Sequence, residues 1–126
     1  MKKDIADRKD IELLMNTFYG KLLADERIGY IFTDVAKLDL TTHIPIIADF
    51  WESVLLNNNV YHNNAMKVHL ELNERTALTK EHFDVWLAHF NATMDGLFEG
   101  DVATLAKQRA RSVATLMQIK ILQKNQ

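Results

Sequence analysis

The sequence predicts an all-α protein, and two observations lead to that prediction. The chain has 126 residues but only four glycines and one proline, fewer turn residues than repeated hairpins require. Its long apolar segments repeat every three or four positions, which is the spacing of amphipathic helices. Neither an internal repeat nor an interdomain linker interrupts them, so we expect residues 1–126 to form a single domain.

The composition excludes several classes of function. The chain is 48% hydrophobic, enough to fill a core, and it lacks cysteine, which excludes disulfides, thiolate metal sites and cysteine nucleophiles. The formal net charge is −2 and no block of basic residues stands out, so we expect no nucleic-acid partner. No apolar run approaches the roughly 18 residues that span a bilayer, and the charged start of the chain lacks a signal peptide's apolar stretch. We therefore expect a cytoplasmic protein without a membrane partner.

The first predicted helix runs from about Asp7 to Asp25. Asp7 is suited to cap its first turn, with Asp10 three residues later as a capping-box-like partner. Tyr19 lies at the edge of the apolar face of this helix. That face consists of Ile11, Leu14, Met15, Phe18 and Leu22.

The second predicted helix follows a turn at Gly29 and a segment, residues 30–32, that is too short and too aromatic to be helical by itself. It begins at Thr41 or Thr42, which places Pro45 in its first turn, where a missing N–H costs little. Three consecutive asparagines at 57–59 end it, because asparagine tolerates turn conformations. His43 falls inside the apolar stripe of this helix, together with Ile47, Phe50, Trp51 and Val54.

A short amphipathic piece is predicted over residues 65–72, and it contains Met66 and His69. A polar loop follows over residues 73–79. The third long helix is predicted from about Thr79 to Phe98. Its apolar arc consists of Phe83, Trp86, Leu87, Phe90, Met94 and Leu97.

The fourth long helix is predicted from Asp101, which is suited to cap it, to about Leu122. Arg109 projects into its apolar arc, which is unusual for a core position. The arc consists of Val102, Leu105, Ala106, Val113, Leu116 and Met117.

The sequence offers little for hydrolytic chemistry. Its two serines, Ser53 and Ser112, lie inside helical patterns and not in a glycine-bounded elbow. No glycine-rich phosphate loop occurs. The carboxylates are scattered over the polar faces, where most are expected to be solvated.

The five histidines divide into two groups. His62 and His69 are seven residues apart, as are His82 and His89, and seven helical residues span about 10 Å, too far for two ligands on one zinc. We expect His62, His82 and His89 to be surface or boundary residues. His43 and His69 instead lie among large apolar residues.

A histidine on an apolar face is more often a hydrogen-bonded core residue than a ligand. Two such imidazoles, however, face a space that is also lined by aromatic side chains. A large, flat, apolar cofactor with an axial metal position would use both the imidazoles and the aromatic walls, and haem fits that description. An ordinary aromatic core is the alternative. The aromatic residues concerned are Tyr19, Phe32, Trp51 and Trp86.

Three motifs give the chain a resemblance to a known family. Phe18-Tyr19 is followed thirteen residues later by Ile31-Phe32; His43 is followed by Phe50-Trp51; and His69-Leu70 is followed by Phe83-x-x-Trp86-Leu87. In this order, and over about residues 4–120, they resemble the truncated haemoglobins. The paired glycine motifs of the first two groups are missing, as they are in the third group, so the chain is most similar to group III.

The resemblance implies a two-over-two helical sandwich that holds haem b. It implies that His69 is the proximal iron ligand and that Tyr19 is the distal tyrosine. It further implies that His43 is the distal histidine that gates the ligand pocket and that Trp86 is the distal tryptophan. Other side chains expected to contact the haem are Phe32, Ile47, Trp51, Met66 and Phe90.

The function implied is reversible binding of dioxygen or another diatomic gas, such as nitric oxide or carbon monoxide. The hydroxyl of Tyr19 and the indole N–H of Trp86 are donors that stabilise a ligand with partial negative charge, and His43 donates from one ring nitrogen. Slow release would suit ligand chemistry, such as nitric oxide oxidation or a peroxidase-like reaction fed by an electron-donating reductase. The alternatives are a haem-based sensor with a separate partner and a cofactor-free helical bundle that serves as an interaction module.

Overall fold

The computed structural model describes residues 2–61, 71–74 and 76–124. The described chain contains helices and no strand, so the all-α prediction is confirmed. Residues 71–74 are also helical, which extends helix two residues into the predicted 73–79 loop. The long helices are α1 (Arg8–Ala24), α2 (Leu40–Leu55), α3 (Lys80–Leu97) and α4 (Asp101–Lys124), and a π-helical turn (Ile31–Val35) precedes α2.

The helices pack in two layers of two. Helix α1 packs against α2 and against α3, and α3 packs against α4. Helix α2 also touches α4, which closes the arrangement. The main core lies where the inner faces of α1, α2 and α3 meet, and a smaller apolar cluster lies between α3 and the end of α4.

Helix α1 forms as the sequence predicts. The Asp7 side chain accepts a hydrogen bond from the backbone N–H of Asp10 at 3.1 Å and so caps the first turn. The Asp10 carboxylate does not complete a capping box; it accepts from the backbone N–H of Ala6 and from Lys3 Nζ, each at 2.8 Å. Every predicted core residue of α1 is buried, and Tyr19 is buried with them.

Helix α2 begins one residue earlier than predicted, because Asp39 caps it by accepting from the backbone N–H of Thr41 at 3.0 Å. Pro45 consequently lies inside the helix and not in its first turn, so the carbonyl of Thr41 lacks its intrahelical donor. Asn57 adopts a left-handed backbone with φ of 59°, which ends the helix where the asparagines predicted. The residues of α2 that reach the core are Ile44, Ala48, Trp51 and Leu55.

Helix α3 is capped by a reciprocal pair of hydrogen bonds. Thr79 Oγ1 accepts from the backbone N–H of His82 at 3.3 Å, and the backbone N–H of Thr79 donates to His82 Nδ1 at 3.1 Å. The helix therefore starts within one residue of its predicted position. Of the predicted arc, Phe83, Phe90 and Met94 are buried, and the other three side chains are half-buried. Val85 and Thr93 are buried in addition.

The buried stripe of α4 differs from the predicted arc. It is made largely of alanines, whose small side chains allow neighbouring helices to approach closely. Leu116, which we placed in the core, is 50% exposed, and Arg109 is exposed and not part of the apolar arc. The arc was misplaced because large aliphatic residues outweigh alanine in a hydrophobic pattern. The buried residues of α4 are Ala103, Ala106, Ala110, Ala114, Met117 and Ile121.

The first turn of α4 is capped from the other end of the chain. Asp4, and not the predicted Asp101, accepts from the backbone N–H groups of Val102 and Ala103, each at 2.9 Å. Gly100 makes room for this contact, because a Cβ there would come within 2.5 Å of the Asp4 carboxyl carbon and its φ of 144° suits only glycine. The amino-terminal arm is thereby fastened to the last helix.

A second tie joins α1 to α2 on the outer side of the core. The Arg8 guanidinium donates to Asp49 at 2.6 Å, to Glu52 at 3.1 Å and to the backbone carbonyl of Pro45 at 3.2 Å. It also donates to Glu12 on its own helix. Charge-assisted bonds from one planar group to several acceptors fix the relative position of two helices better than single ion pairs do.

Candidate ligand-binding pocket

Side chains from all four long helices surround a cavity of about 200 Å³. Its walls are mostly apolar and aromatic, and they come from α1, α2, α3, α4 and the π-helical turn. Such a lining, with a few polar groups, is typical of a site for a small molecule or a cofactor. Of the residues singled out from the sequence, the lining includes Tyr19, Phe32, His43, Ile47, Trp51 and Trp86.

Tyr19 and His43 meet at this pocket. The Tyr19 hydroxyl lies 2.9 Å from His43 Nε2, a hydrogen bond between α1 and α2. The two rings are nearly perpendicular, with centroids 5.2 Å apart. Two residues that are 24 positions apart in sequence therefore form one polar unit in an apolar wall.

The direction of this hydrogen bond determines what Tyr19 offers the pocket. If Tyr19 donates its proton to His43 Nε2, only oxygen lone pairs face the cavity. If His43 Nε2 carries the proton and donates to the Tyr19 oxygen, the Tyr19 hydroxyl proton is available to a ligand. The pair can therefore present an acceptor or a donor, depending on the histidine tautomer.

The Tyr19 ring is held tightly. Its edges and face contact Phe18 and Phe32, with ring centroids 5.4 Å and 5.7 Å away. Burial in this apolar setting raises the pKa of Tyr19 well above its ordinary value, because the phenolate would lose its hydration. The side chain is therefore a neutral phenol over the physiological pH range.

Trp86 forms the opposite part of the wall on α3. It stacks on Phe90 at 5.7 Å between centroids and meets the edge of Phe18 at 5.6 Å. Its indole N–H makes no hydrogen bond to another residue in the described part of the chain, and the side chain is half-buried. Aromatic packing thus orients a donor that no described neighbour uses.

Phe90 lies behind the wall and is not among the residues that line the cavity, so its expected haem contact stays a prediction. It is fully buried and lies between the rings of Trp51, 5.0 Å away, and Trp86. Both neighbours stack on it, at interplanar angles of 26° and 20°. Phe90 therefore supports two pocket walls from the core side.

Glu71, Leu72 and His82 also line the pocket. His82 Nδ1 accepts a hydrogen bond from the backbone N–H of Thr79, the residue that caps α3. The ring proton therefore belongs on Nε2, which donates to the Tyr30 hydroxyl oxygen at 3.2 Å. The sequence showed His82 only as a boundary residue. The sequence feature that could have indicated its structural role is its position in the first turn of α3, three residues after the threonine cap.

Two of the predicted haem contacts, Met66 and His69, lie outside the described residues, as does His62. Glu71 and Leu72 lie two and three positions after His69 in the sequence. Within residues 2–61, 71–74 and 76–124, no three histidine, cysteine or acidic side chains are grouped so as to hold a metal ion. None of the helices in these ranges is both long and apolar enough to cross a membrane.

His89 belongs to a polar cluster that the sequence did not indicate. Its Nε2 lies 2.7 Å from an Asp25 carboxylate oxygen, and Arg27 holds the same carboxylate through two nitrogens at 3.0 Å and 2.7 Å. Arg27 and His89 keep the pKa of Asp25 well below its ordinary range. The cluster fastens the end of α1 to α3 and lies apart from the pocket lining.

Comparison with known proteins decides the fold. A solved crystal structure of a group III truncated hemoglobin from Campylobacter jejuni matches with a TM-score of 0.83 and 27% identity, over 96% of this chain and 95% of that one. The chain has the truncated haemoglobin fold. The curated group 3 truncated hemoglobin ctb of the same organism is 27% identical over 121 residues, 94% of this chain and 93% of the relative. No protein-family model matches the chain.

These matches confirm the two-over-two helical sandwich and the resemblance to group III truncated haemoglobins. Both extend over nearly the whole chain, so the fold applies to α1 through α4 and not to one part alone. In this globin fold, the pocket lined by Tyr19, His43 and Trp86 lies between the two layers of helices.

Proposed function

We propose that the chain is a haem protein that binds a diatomic gas ligand in the pocket. The observation that carries the proposal is the Tyr19–His43 pair, a part-buried polar unit at the wall of an otherwise apolar and aromatic cavity. A core that served packing alone would gain nothing from placing a phenol and an imidazole there, since burying polar groups costs free energy. The group III truncated haemoglobin that the chain resembles supports the same conclusion.

The residues present fit haem b. Aromatic and aliphatic walls match the apolar faces of a porphyrin, and the polar groups are few enough to leave those faces dry. Bound haem would supply an iron with one coordination position open to a small ligand. The haem contacts proposed among the described residues are Phe32, Ile47, Trp51 and Trp86.

His69 is the residue proposed to hold the haem iron, with Met66 as a further haem contact. The resemblance of the sequence to truncated haemoglobins supports the assignment of His69, and so do the pocket-lining residues that follow it. Glu71 and Leu72, two and three positions after His69, both line the pocket. Neutral imidazole is a common iron ligand in haem proteins, and the residues directly before and after His69 in the sequence, Val68 and Leu70, are apolar.

Tyr19 is proposed to donate its hydroxyl proton to the ligand. This requires His43 Nε2–H to donate to the Tyr19 oxygen, which leaves the Tyr19 proton free to point into the cavity. The raised pKa of Tyr19 keeps that proton on the oxygen. His43 thereby orients the donor without touching the ligand itself.

Trp86 is the proposed second donor, through its indole N–H. One such hydrogen bond contributes about 1 kcal/mol, and more where water is excluded. Two donors together would slow ligand release by roughly thirtyfold, at 1.4 kcal/mol per factor of ten. Slow release favours ligand chemistry or sensing over bulk transport.

His43 is also the proposed gate. It lies in the first turn of α2, close to the helix start at Leu40, and it is only half-buried. Swinging it aside requires breaking its hydrogen bond to Tyr19, at a cost of about 0.5–1.5 kcal/mol.

The cellular role proposed is cytoplasmic gas binding with redox chemistry on the ligand, for example nitric oxide oxidation, supported by an electron-donating partner. The donors at Tyr19 and Trp86 would polarise such a ligand. A haem-based sensor would use the same pocket but would need a separate output protein.

The absorption spectrum of the purified protein tests the proposal. We expect a red protein with a strong band at the violet edge of the visible range, which shifts on reduction and on addition of carbon monoxide. His69→Ala should lose haem, or keep it only with added imidazole, whereas the control His62→Ala should retain the parent spectrum. A colourless protein that takes up no added haem would contradict the proposal and favour a cofactor-free interaction module.

A further inference from the structure

The outer side of α4 presents an apolar patch with cationic edges. Three aliphatic side chains at its centre are 48–63% exposed, although aliphatics of this size are usually buried. Exposed basic side chains flank them on both edges of the helix. We call this surface the cationic face, and it consists of Arg109, Arg111, Leu116, Ile119, Lys120 and Leu122.

The charge of the chain is divided unevenly along its length. Residues 102–126 carry five basic side chains and no acidic one, whereas residues 1–101 carry ten basic and seventeen acidic side chains. Lys107 is paired with Asp95 at 2.7 Å. The three cations of the cationic face have no ion pair or side-chain hydrogen bond within the described residues.

The cationic face is the reverse side of a pocket wall. Val113, Ala114 and Met117 line the pocket from the inner side of the same turns of α4. An α-helix with its side chains is about 10–12 Å across, so a partner seated on the outer side lies roughly one helix diameter from the cavity. No other described helix stands between the two.

We propose that the cationic face docks an acidic, electron-donating protein that carries a flavin or an iron–sulfur cluster. The inference rests on the proposed haem function, because it gives the pocket its source of electrons. The reduced donor would give up one electron to bound haem, whose iron would pass from ferric to ferrous, and no bond would be formed or broken. A small apolar centre with a charged rim suits a transient redox complex, in which electrostatic steering raises the association rate.

An acidic protein fits this face better than a second copy of the chain. Many of the carboxylates in the described chain are already used internally. Asp25 is held by Arg27 and His89, and Asp4 caps α4. Others pair with lysine or arginine within the molecule, namely Asp10, Glu12, Asp49, Glu52, Asp84 and Asp95.

An acidic protein also fits better than an anionic membrane. Helices that lie on membranes insert a broad apolar face, usually with tryptophan or phenylalanine. The cationic face offers three aliphatic side chains and no aromatic one, and the opposite side of α4 is buried in the core. Three aliphatic residues suffice for the centre of a small protein interface.

The test is a binding titration with a flavodoxin, a small acidic FMN protein, at about 10 mM salt, where charges act over roughly 30 Å. Amide spectra of the ¹⁵N-labelled protein, as purified, should shift on the outer side of α4. R109E/R111E/K120E should weaken binding and slow electron transfer at least tenfold, since steering contributes factors of about 10 to 1,000. Reduction by a small neutral reductant should be unchanged.

The matched control is K2E/K9E/K37E, which reverses the same amount of charge on exposed residues outside the cationic face. R109Q/R111Q/K120Q is a milder variant in case the charge-reversed variant folds poorly, and it should show the same effect at smaller size.

Equal losses of binding in the control and in the α4 variants would overturn the proposal. So would amide shifts elsewhere, binding of phosphatidylserine vesicles in place of flavodoxin, or self-association through α4. The amide shifts can be measured whether or not the protein binds haem. A protein that binds no haem but still shows flavodoxin shifts on the outer side of α4 would therefore contradict the proposed function and not the docking surface.

Discussion

Helices α1 and α4 fill the interior in opposite ways. Helix α1 buries large side chains, among them Phe18 at 1% exposure and several aliphatics at 0%. Helix α4 buries a row of alanines and turns large aliphatics such as Leu116 and Leu122 toward solvent. One helix stabilises the fold through the area it removes from water, and the other through close approach of backbones.

This difference separates the two sides of the pocket. The large side chains of α1 hold the Tyr19 ring in a fixed direction, so that side carries the polar chemistry. The alanine side of α4 is thin, with Ala114 at the pocket and exposed residues directly behind it. The first side is suited to holding a ligand, and the second brings the surface close to the cavity.

The largest effect is expected for Phe18→Ala. It removes a fully buried ring that meets the edges of Tyr19, Trp86 and Phe90, so we expect a loss of about 3–5 kcal/mol in the free energy of unfolding. Urea titration measures it. Leu13→Ala on the same helix, at an exposed position, is the control and should change stability by less than about 0.5 kcal/mol. Similar losses in both variants would mean that α1 is not held by its buried face.

Ala110→Leu tests the close approach of α4 and should destabilise the protein by about 1–3 kcal/mol through overpacking. Ala92→Leu makes the same chemical change at an exposed position of α3 and should have little effect. Thermal unfolding of both variants is the measurement. If Ala110→Leu were neutral, the alanine stripe would not be a tight contact.

A smaller effect is expected for Asp4→Asn, because one helix cap contributes about 0.5–2 kcal/mol. Burial disfavours the charge on Asp4, but backbone N–H groups that include those of Val102 and Ala103 outweigh it and lower its pKa. A carboxyl with a lowered folded-state pKa stabilises the protein above its unfolded pKa of about 4 and loses that contribution as pH falls.

Urea titrations at pH 7 and at pH 3 measure this contribution. Asp4→Asn should differ from the parent at pH 7 and approach it at low pH. Glu99→Gln, an exposed carboxylate nearby, is the control and should track the parent at pH 7. A pH-independent difference would show that the Asp4 charge is not what caps α4.

The same contrast explains how far the sequence could predict the structure. Helix α1 follows from large apolar residues at helical spacing, and Tyr19 could be placed beside them. The buried face of α4 could not be found, because alanine gives a weak hydrophobic signal and Leu116 gives a strong one. The Asp4 cap joins residues almost a hundred positions apart, and no local pattern shows such a contact.

The pocket was predictable in its residue types but not in its geometry. Spacing on helices placed His43 and Trp86 on apolar faces, and the resemblance to truncated haemoglobins implied distal roles for them and for Tyr19. The bond between Tyr19 and His43 depends on how α1 and α2 cross, which Arg8 helps to fix from the outside. The position of Phe90 behind the wall depends on ring stacking that sequence spacing does not contain.

Oxygen dissociation from the haem-loaded protein tests the proposed pocket chemistry most directly. Tyr19→Phe and Trp86→Phe should each release oxygen severalfold faster, with non-additive effects if they share one network. His43→Leu should alter ligand entry more than release, and Tyr30→Phe, outside the pair, should behave like the parent. If Tyr19→Phe released oxygen at the parent rate, the Tyr19 hydroxyl would not hold the ligand, and the central assignment of the pocket would be wrong.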